Sequence, residues 1–412
     1  MPYLSLKELF YRDSSSERFA DNEALAEMRR SAESTFRTGI DTPRGELFLA
    51  VPRELSLLHE KVLRFERTIT QLTRALPPVA YGALVRSLVV SEVVSTNDME
   101  GVHSTRRQIS DLLASMSSTK VSGKRDRFRE FARLYLGISD PDRTFPVSPE
   151  DVRNIYDLVM QGEDLGDNRP DGELLRKGGV DVWGPGGKRL HEGLYPESAI
   201  TEGIRRMLAI VESDTIPETY SAIIGHYVFE YIHPFYDGNG RTGRYLLALH
   251  LSRPLSVLTA LSLSKVMAER RDAYYKSFED AEHVLNHGEL TGFVINMLEN
   301  VWQAQSELSV ELRTRREQLD EAGLKLDALQ SELHLSDKEG NVLYLLIQQS
   351  LFGAFPDATL AEVASYSQVK SQQARKYTKP LEELGLIDVF RTKEIHFVLS
   401  EHGKQLLGLS QQ

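Results

Sequence analysis

The chain has 412 residues and no cysteine, and 49 Lys and Arg stand against 60 Asp and Glu, a net charge of −11. These numbers exclude disulfides, Cys-ligated zinc, iron–sulfur clusters and cysteine nucleophiles, and they argue against a chain that coats nucleic acid non-specifically. A hydrophobic content of 41% and a charged content of 26% describe an ordinary soluble, cytoplasmic globular protein of two or three domains.

Residues 1 to about 45 are polar and weakly periodic, and are read as an arm that wraps the body or is partly mobile. The start lacks the basic stretch and apolar core of a signal peptide. No segment reaches the roughly 18 apolar residues of a membrane span. The best stretch, Tyr81 to Val94, is interrupted by Arg86 and Glu92. From Leu55 the spacing of Leu57, Leu58, Val62, Leu63 and Phe65 predicts a helix, stopped by Pro77-Pro78, with a second apolar helix following through Val94.

Ser148-Pro149-Glu150-Asp151 predicts a capped helix start, with Val152, Ile155, Leu158 and Val159 as its buried stripe. Residues 178–196 alternate and then break at glycines, which predicts a β-hairpin with a Gly186-Gly187 turn, the only hairpin expected in the first 300 residues. Helices are predicted over 196–211 and 217–232, around 245–251, and over 264–283. A long charged connector runs from Gly288 to about Leu333. The last 80 residues read as helices 336–349, 359–365 and 371–384, then short strands 386–390 and 394–399. That is the order of a winged helix-turn-helix.

One segment concentrates chemistry: His233-Pro-Phe-Tyr-Asp-Gly-Asn-Gly-Arg-Thr-Gly-Arg244. Gly238 and Gly240 allow consecutive N–H groups to converge, and the apolar run from Tyr245 implies a helix whose N-terminus favours an anion. Arg241 and Arg244 suit bidentate phosphate contact. Asp237 offers a hard oxygen for Mg²⁺, and His233 can accept a proton near neutral pH. Together they imply attack on a nucleotide phosphate. A D-G-N-G run alone is an inter-helix turn, but the arginines and the His-Pro-Phe lead-in add what a turn does not need.

These residues closely resemble the signature of Fic-domain proteins, H-x-F-x-[D/E]-G-N-G-R-x-x-R, with every fixed position matched. Leu263-Ser264 through Tyr275 is similar to the helix that follows the signature, and the 178–196 hairpin sits where the family has its flap. The resemblance covers about residues 50 to 300. It implies a mainly α helical bundle with a β-hairpin flap that moves AMP from ATP to a Ser, Thr or Tyr hydroxyl of a target protein. In that reading His233 is the base, Asp237 holds Mg²⁺ between the α- and β-phosphates, and Gly238, Asn239, Gly240 and Arg241 form the anion hole. Arg244 holds the γ-phosphate, Phe235 anchors the loop, and the flap clamps the target as a strand.

Thr96-Asn-Asp-Met-Glu100-Gly101 resembles the family's inhibitory motif [S/T]-x-x-x-E-[G/N]. The resemblance implies that Glu100 pairs with Arg244 and blocks productive ATP binding. Without the family signature, the segment reads as an ordinary helix end with a glycine cap. In some relatives the corresponding glutamate activates water to remove AMP, so a de-adenylylase stays open. So does a DNA-binding regulator whose Fic domain senses nucleotide. Self-modification and a homodimer are family routes that no residue here decides.

Gly186-Gly187-Lys188 fails as a P-loop, because Val182 and Arg189 occupy positions that need Gly and Ser or Thr. His191 and His226 lack ligand spacing toward His233 and read as ordinary histidines. Trp183 reads as core in preference to a target contact. Lys370, Arg375, Lys376 and Lys379, with Arg391 and Lys393 at the wing tip, make a modest basic patch for DNA. Glu382, Glu383 and Glu394 dilute it, and a protein partner is the alternative. The expected domains are 1–120 with the inhibitory helix, a catalytic core at 121–300, a connector at 301–333 and a winged helix at 334–412.

Overall fold

The computed structural model describes residues 3–116, 127–183, 189–391 and 394–410. Over these the protein is mainly α-helical with a few short strands, as the sequence predicts. Two compact units emerge: Met1–Arg67 with Ser91–Ser306, and Thr68–Val90 with Glu307–Gln412.

The first 45 residues are not a loose arm. Helix Leu6–Arg12 starts in a capping box, in which Ser5 accepts from Glu8 N and the Glu8 carboxylate accepts from Ser5 N. Helix Arg18–Arg30 follows, and Asn22 donates to Leu6 O at 3.1 Å. Strands Thr35–Thr42 and Gly45–Ala50 then form an antiparallel hairpin that sequence reading missed. The lack of alternation hid it: Leu47, Phe48 and Leu49 are consecutive and all at most 2% exposed. A strand covered on both faces loses the period-two signal. The cover comes from far along the chain. Phe48 N donates to Gly288 O at 3.1 Å and Leu290 N to Phe48 O at 2.9 Å. Gly288, at φ +83°, allows this approach, since a Cβ there would lie 2.6 Å from Glu46 O.

Helices Arg53–Arg74 and Pro78–Met99 break at Pro77, and Pro78 opens the second, where a missing N–H costs nothing. This second helix runs to Met99, five residues past its expected end. Among the described residues it is the one helix long and apolar enough, by length and composition, to cross a membrane, and it contains the best stretch in the sequence, Tyr81 to Val94. Its Ala80, Ala83, Leu84, Val85, Val89, Val90 and Val93 are buried within the protein. Glu92 is buried too, and accepts from Ser264 N at 3.0 Å and Ser264 Oγ at 2.5 Å.

Ser148 and Asp151 cap helix Pro149–Val159 reciprocally, and Val152, Tyr156 and Val159 are buried. Helices Glu218–Ile232 and Asn239–Leu251 pack together with almost every residue buried. Neither has a polar face, as expected of helices at the centre of a fold. The expected single helix over 264–283 is two, Leu263–Glu269 and Arg271–Ala281, broken at Arg270, which donates to Asn300 Oδ1 at 2.8 Å.

In the second unit, helices Asp337–Phe352 and Leu360–Tyr366 start in capping boxes at Ser336/Glu339 and Thr359/Glu362. Helix Ser371–Glu383 follows. Strand Ile395–Leu399 lies between Ala358–Thr359 and Ile387–Arg391 in an antiparallel sheet, and helix Glu401–Leu407 closes the unit. Val342, Leu346, Val363, Leu381, Ile387 and Phe397 are part of its core. Lys370, Arg375, Lys376 and Lys379 are exposed, and Lys379 pairs with Glu383 at 3.4 Å. Lys393 and the Arg391 side chain lie outside the described residues.

Candidate active site

Helix Glu218–Ile232 ends at His233, whose N donates to Phe229 O at 3.0 Å and whose backbone is left-handed, φ 51° and ψ 63°. Pro234 follows and cannot continue the helix. Phe235 is fully buried and stacks on Tyr156 at 3.6 Å, the anchoring role the resemblance implies. The Asn239 side chain clamps the same residue, accepting from Phe235 N at 2.9 Å and donating to Phe235 O at 2.8 Å. Asn239 therefore shapes the loop with its amide and offers an anion only its backbone N–H. Gly238, at φ +81°, packs on Met160, and a Cβ there would sit 2.4 Å from its Sδ. Helix Asn239–Leu251 begins at this point, so its first N–H groups lack intrahelical partners. Asp237 is exposed beside them, one carboxylate oxygen accepting from Gly238 N at 2.6 Å.

Arg244, one turn further on, is buried. Its Nε donates to Thr96 Oγ1 at 2.7 Å, and its Nη2 to Thr96 O at 3.2 Å and to Glu100 Oε1 at 2.6 Å. The tertiary fold thus brings Thr96 and Glu100 onto the last arginine of the loop. Gly101, at φ +69°, ends the Pro78–Met99 helix, and Arg271 Nη2 donates to Met99 O at 2.8 Å. Burial alone would raise the Glu100 carboxyl. The Arg244 guanidinium opposes this and, aided by Arg241 and His233, holds it below its ordinary value. A Cβ on Gly240 would lie 2.2 Å from Glu100 Oε1, so the glycine leaves room for the carboxylate at the helix N-terminus.

Arg241 is placed differently. Its guanidinium is buried, donating to Glu163 Oε1 at 2.8 Å and to Met160 Sδ at 3.1 Å. Glu163 also takes Arg127 at 2.6 Å. The side chain expected to face phosphate is engaged inside the protein, and what Arg241 offers the loop mouth is its backbone N–H. Glu163 was missed in the sequence because no local pattern distinguishes it from any acidic residue after a helix.

The flap is present as strands Asp181–Trp183 and Arg189–Glu192, antiparallel with Val182 opposite His191. The Gly186-Gly187 turn, Lys188 and the Trp183 side chain lie outside the described residues. His191 uses both ring nitrogens, Nδ1 with Glu282 Oε2 at 2.9 Å and Nε2 with Tyr231 O at 2.7 Å. His226 does likewise with Gly243 O and Tyr274 Oη. The His233 ring lies 6.4 Å from that of His191. Burial first, and then the neighbouring His191, lower the His233 pKa to about 4. At neutral pH its imidazole is therefore neutral and able to accept a proton.

A neutral imidazole, a helix N-terminus, an exposed carboxylate and a buried guanidinium stand within one loop, an arrangement whose chemistry suits a phosphate. Asp237 suits Mg²⁺, which binds through one or two carboxylates and fills its shell with phosphate oxygens and water. Residues 146–251 match the family model described as the Fic/DOC family, and the chain carries a Fic domain. In fold the chain is similar to a Fic family protein from Desulfovibrio desulfuricans G20, at 19% identity over 85% of this chain and 97% of that one, with a TM-score of 0.52. It also matches a Fic domain containing signaling protein from Bacteroides thetaiotaomicron VPI-5482, at 16% identity, 62% and 97% coverage and a TM-score of 0.44. A third match is Fic-1 from C. elegans, at 20% identity, 75% and 81% coverage and a TM-score of 0.45. Proteins of this family are generally transferases of AMP or another nucleotide to proteins, using ATP and generally Mg²⁺.

Proposed function

We propose that this chain is a protein adenylyltransferase, moving AMP from ATP to a hydroxyl side chain of a target protein, and that Glu100 holds it inactive. The observation that carries the reading is the 2.6 Å pairing of Glu100 with Arg244 at the N-terminus of the helix that follows His233. His233 takes the proton of the attacking hydroxyl. A new bond forms between that oxygen and the α-phosphorus, the α–β phosphoanhydride breaks, and pyrophosphate leaves. The N–H groups of Gly238, Asn239, Gly240 and Arg241 hold the phosphates, and Arg244 holds the γ-phosphate once Glu100 leaves it. Asp237 would hold Mg²⁺, which supplies positive charge to the phosphates when bound. The test is incorporation of labelled AMP from ATP with Mg²⁺ into protein, the chain itself included. Glu100→Gly should raise incorporation and His233→Ala abolish it; labelling unaffected by either change would sink the reading.

Removal of AMP is the second reading, favoured by the Glu100 carboxylate standing beside Gly240 at the N-terminus of the helix that follows His233. In that reading the Glu100 carboxylate orients the attacking water. Release of AMP from modified protein that is lost in Glu100→Gly would establish it. For the C-terminal unit we propose a winged helix, supported by its element order. Exposed Lys370, Arg375 and Lys376 suit DNA, and a salt-dependent, sequence-selective gel shift tests that partner.

A further inference from the structure

We propose that Arg176 is a positioning residue that locks both feet of the flap hairpin to the backbone of His233, so that the hydroxyl presented by the flap and the base that deprotonates it keep one geometry. The proposal deepens the adenylyl-transfer reading and rests on it for its catalytic consequence.

Arg176 is fully buried, and no ion pair is seen for it among the described residues. Its guanidinium donates only to backbone carbonyls: Nε to His233 O at 2.9 Å, Nη2 to Leu194 O at 2.8 Å and Ile232 O at 3.4 Å, and Nη1 to Gly178 O. Gly178 precedes the first flap strand and Leu194 follows the second, so one side chain ties both ends of the hairpin. Burying a cation without an acid is costly. A planar fork with five donors in fixed directions can meet several converging carbonyls at once.

The helix end needs this help. The last carbonyls of helix Glu218–Ile232 have no intrahelical partners. Here Tyr231 O takes His191, Ile232 O takes Leu194 N at 3.1 Å as well as Arg176, and His233 O takes Arg176. Cations at a helix C-terminus also match its dipole. The flap base thus satisfies the last carbonyls of the helix that leads into His233.

The surroundings leave Arg176 little alternative. A Cβ at Gly193 would lie 2.5 Å from Arg176 Nη2 and 3.0 Å from His233 Cβ, so the glycine admits the guanidinium to the base. The segment leading to Arg176 is held by Glu197, which accepts from the N–H groups of Glu173, Leu174 and Leu175 at 3.1, 2.7 and 2.8 Å.

The test uses the full chain carrying Arg176→Lys, Arg176→Gln or Gly193→Ala, with thermal melting to choose variants that fold. Amide exchange is read in 181–183 and 189–194 without nucleotide. Transfer turnover and ATP affinity are read in the Glu100→Gly background. Hairpin exchange should speed up roughly tenfold or more in each folded variant while helix 78–99 is unchanged. Turnover should fall roughly tenfold or more with ATP affinity held within about twofold. Unchanged hairpin exchange overturns the proposal, as does ATP affinity falling in step with turnover. Full turnover in Arg176→Lys also overturns it, because charge would then suffice without the fork. If Glu100→Gly alone transfers nothing, the adenylyl-transfer reading fails, while hairpin exchange still decides whether Arg176 locks the flap.

Discussion

The Glu100 carboxylate and the Arg244 guanidinium meet at 2.6 Å although 144 positions separate them in the chain. The arginine is buried and the pair stands at a helix N-terminus, so in the proposed reading the contact occupies charge meant for a nucleotide phosphate. Glu100→Gly is expected to raise AMP incorporation about tenfold or more, measured with labelled ATP. Thr96→Ala, which removes the 2.7 Å bond to Arg244 Nε, should give a smaller rise by the same assay.

Acid should not substitute for that mutation. Glu100 is held below its ordinary value, so its stabilising contribution is present above that value and lost only as pH falls through the lowered one. His233, its pKa lowered to about 4, also loses its capacity as a base only in acid. Wild type should therefore show no acid activation. In Glu100→Gly the acid limb of kcat/KM should fall near pH 4 and not near the ordinary imidazole value of about 6.5. A limb near 6.5 would show that another group is titrating.

Glu92 lies on the same helix with a pKa raised to about 7, chiefly by burial. A carboxyl raised in the folded state adds stability at low pH and loses it as pH rises through the folded value. Glu92→Gln keeps an acceptor for Ser264 and removes the charge. Urea unfolding should show wild type losing stability between pH 5 and pH 8 (about 1–3 kcal/mol), and the variant losing less.

Gly240→Ala would place its Cβ 2.2 Å from Glu100 Oε1 and 2.9 Å from Arg244 Nη1. In wild type the carboxylate must shift. Combined with Glu100→Gly the first clash disappears, and the methyl group still crowds Arg244. Calorimetry should therefore show the double variant binding ATP about tenfold more weakly than Glu100→Gly alone.

Phe48→Ala removes a fully buried ring from the N-terminal hairpin. Thermal or urea unfolding should register a loss of about 3–5 kcal/mol. A change under 1 kcal/mol, by the same measurement, would mean that residues 3–50 are peripheral to the catalytic unit after all.

Local chemistry made much of the site legible. His233, Asp237, Gly238 and Arg244 stand out in twelve consecutive residues because a tight loop before a helix favours neighbouring glycines, and a helix N-terminus favours an anion. The 96–101 pattern was legible only beside that loop. Glu163, Arg176 and Glu197 were not, because each acts on backbone or charge brought from elsewhere in the chain, and nothing in their own neighbours marks them. The 35–50 hairpin was hidden for the same reason: its burial depends on residues 288–290.

By itself, then, the sequence determined the helical class and the glycine-rich loop with its His, Asp and Arg side chains, and it offered His233 and Glu100 as candidates for base and inhibitor. The class and the loop rest on residues close in the chain, where spacing translates directly into geometry, whereas the roles of His233 and Glu100 are what the family resemblance implies. Only the tertiary structure decided that Glu100 reaches Arg244, that Arg241 turns inward to Glu163, and that Arg176 joins the flap to His233. A buried charge takes whatever partner the packing brings to it, and that packing is a property of the whole fold.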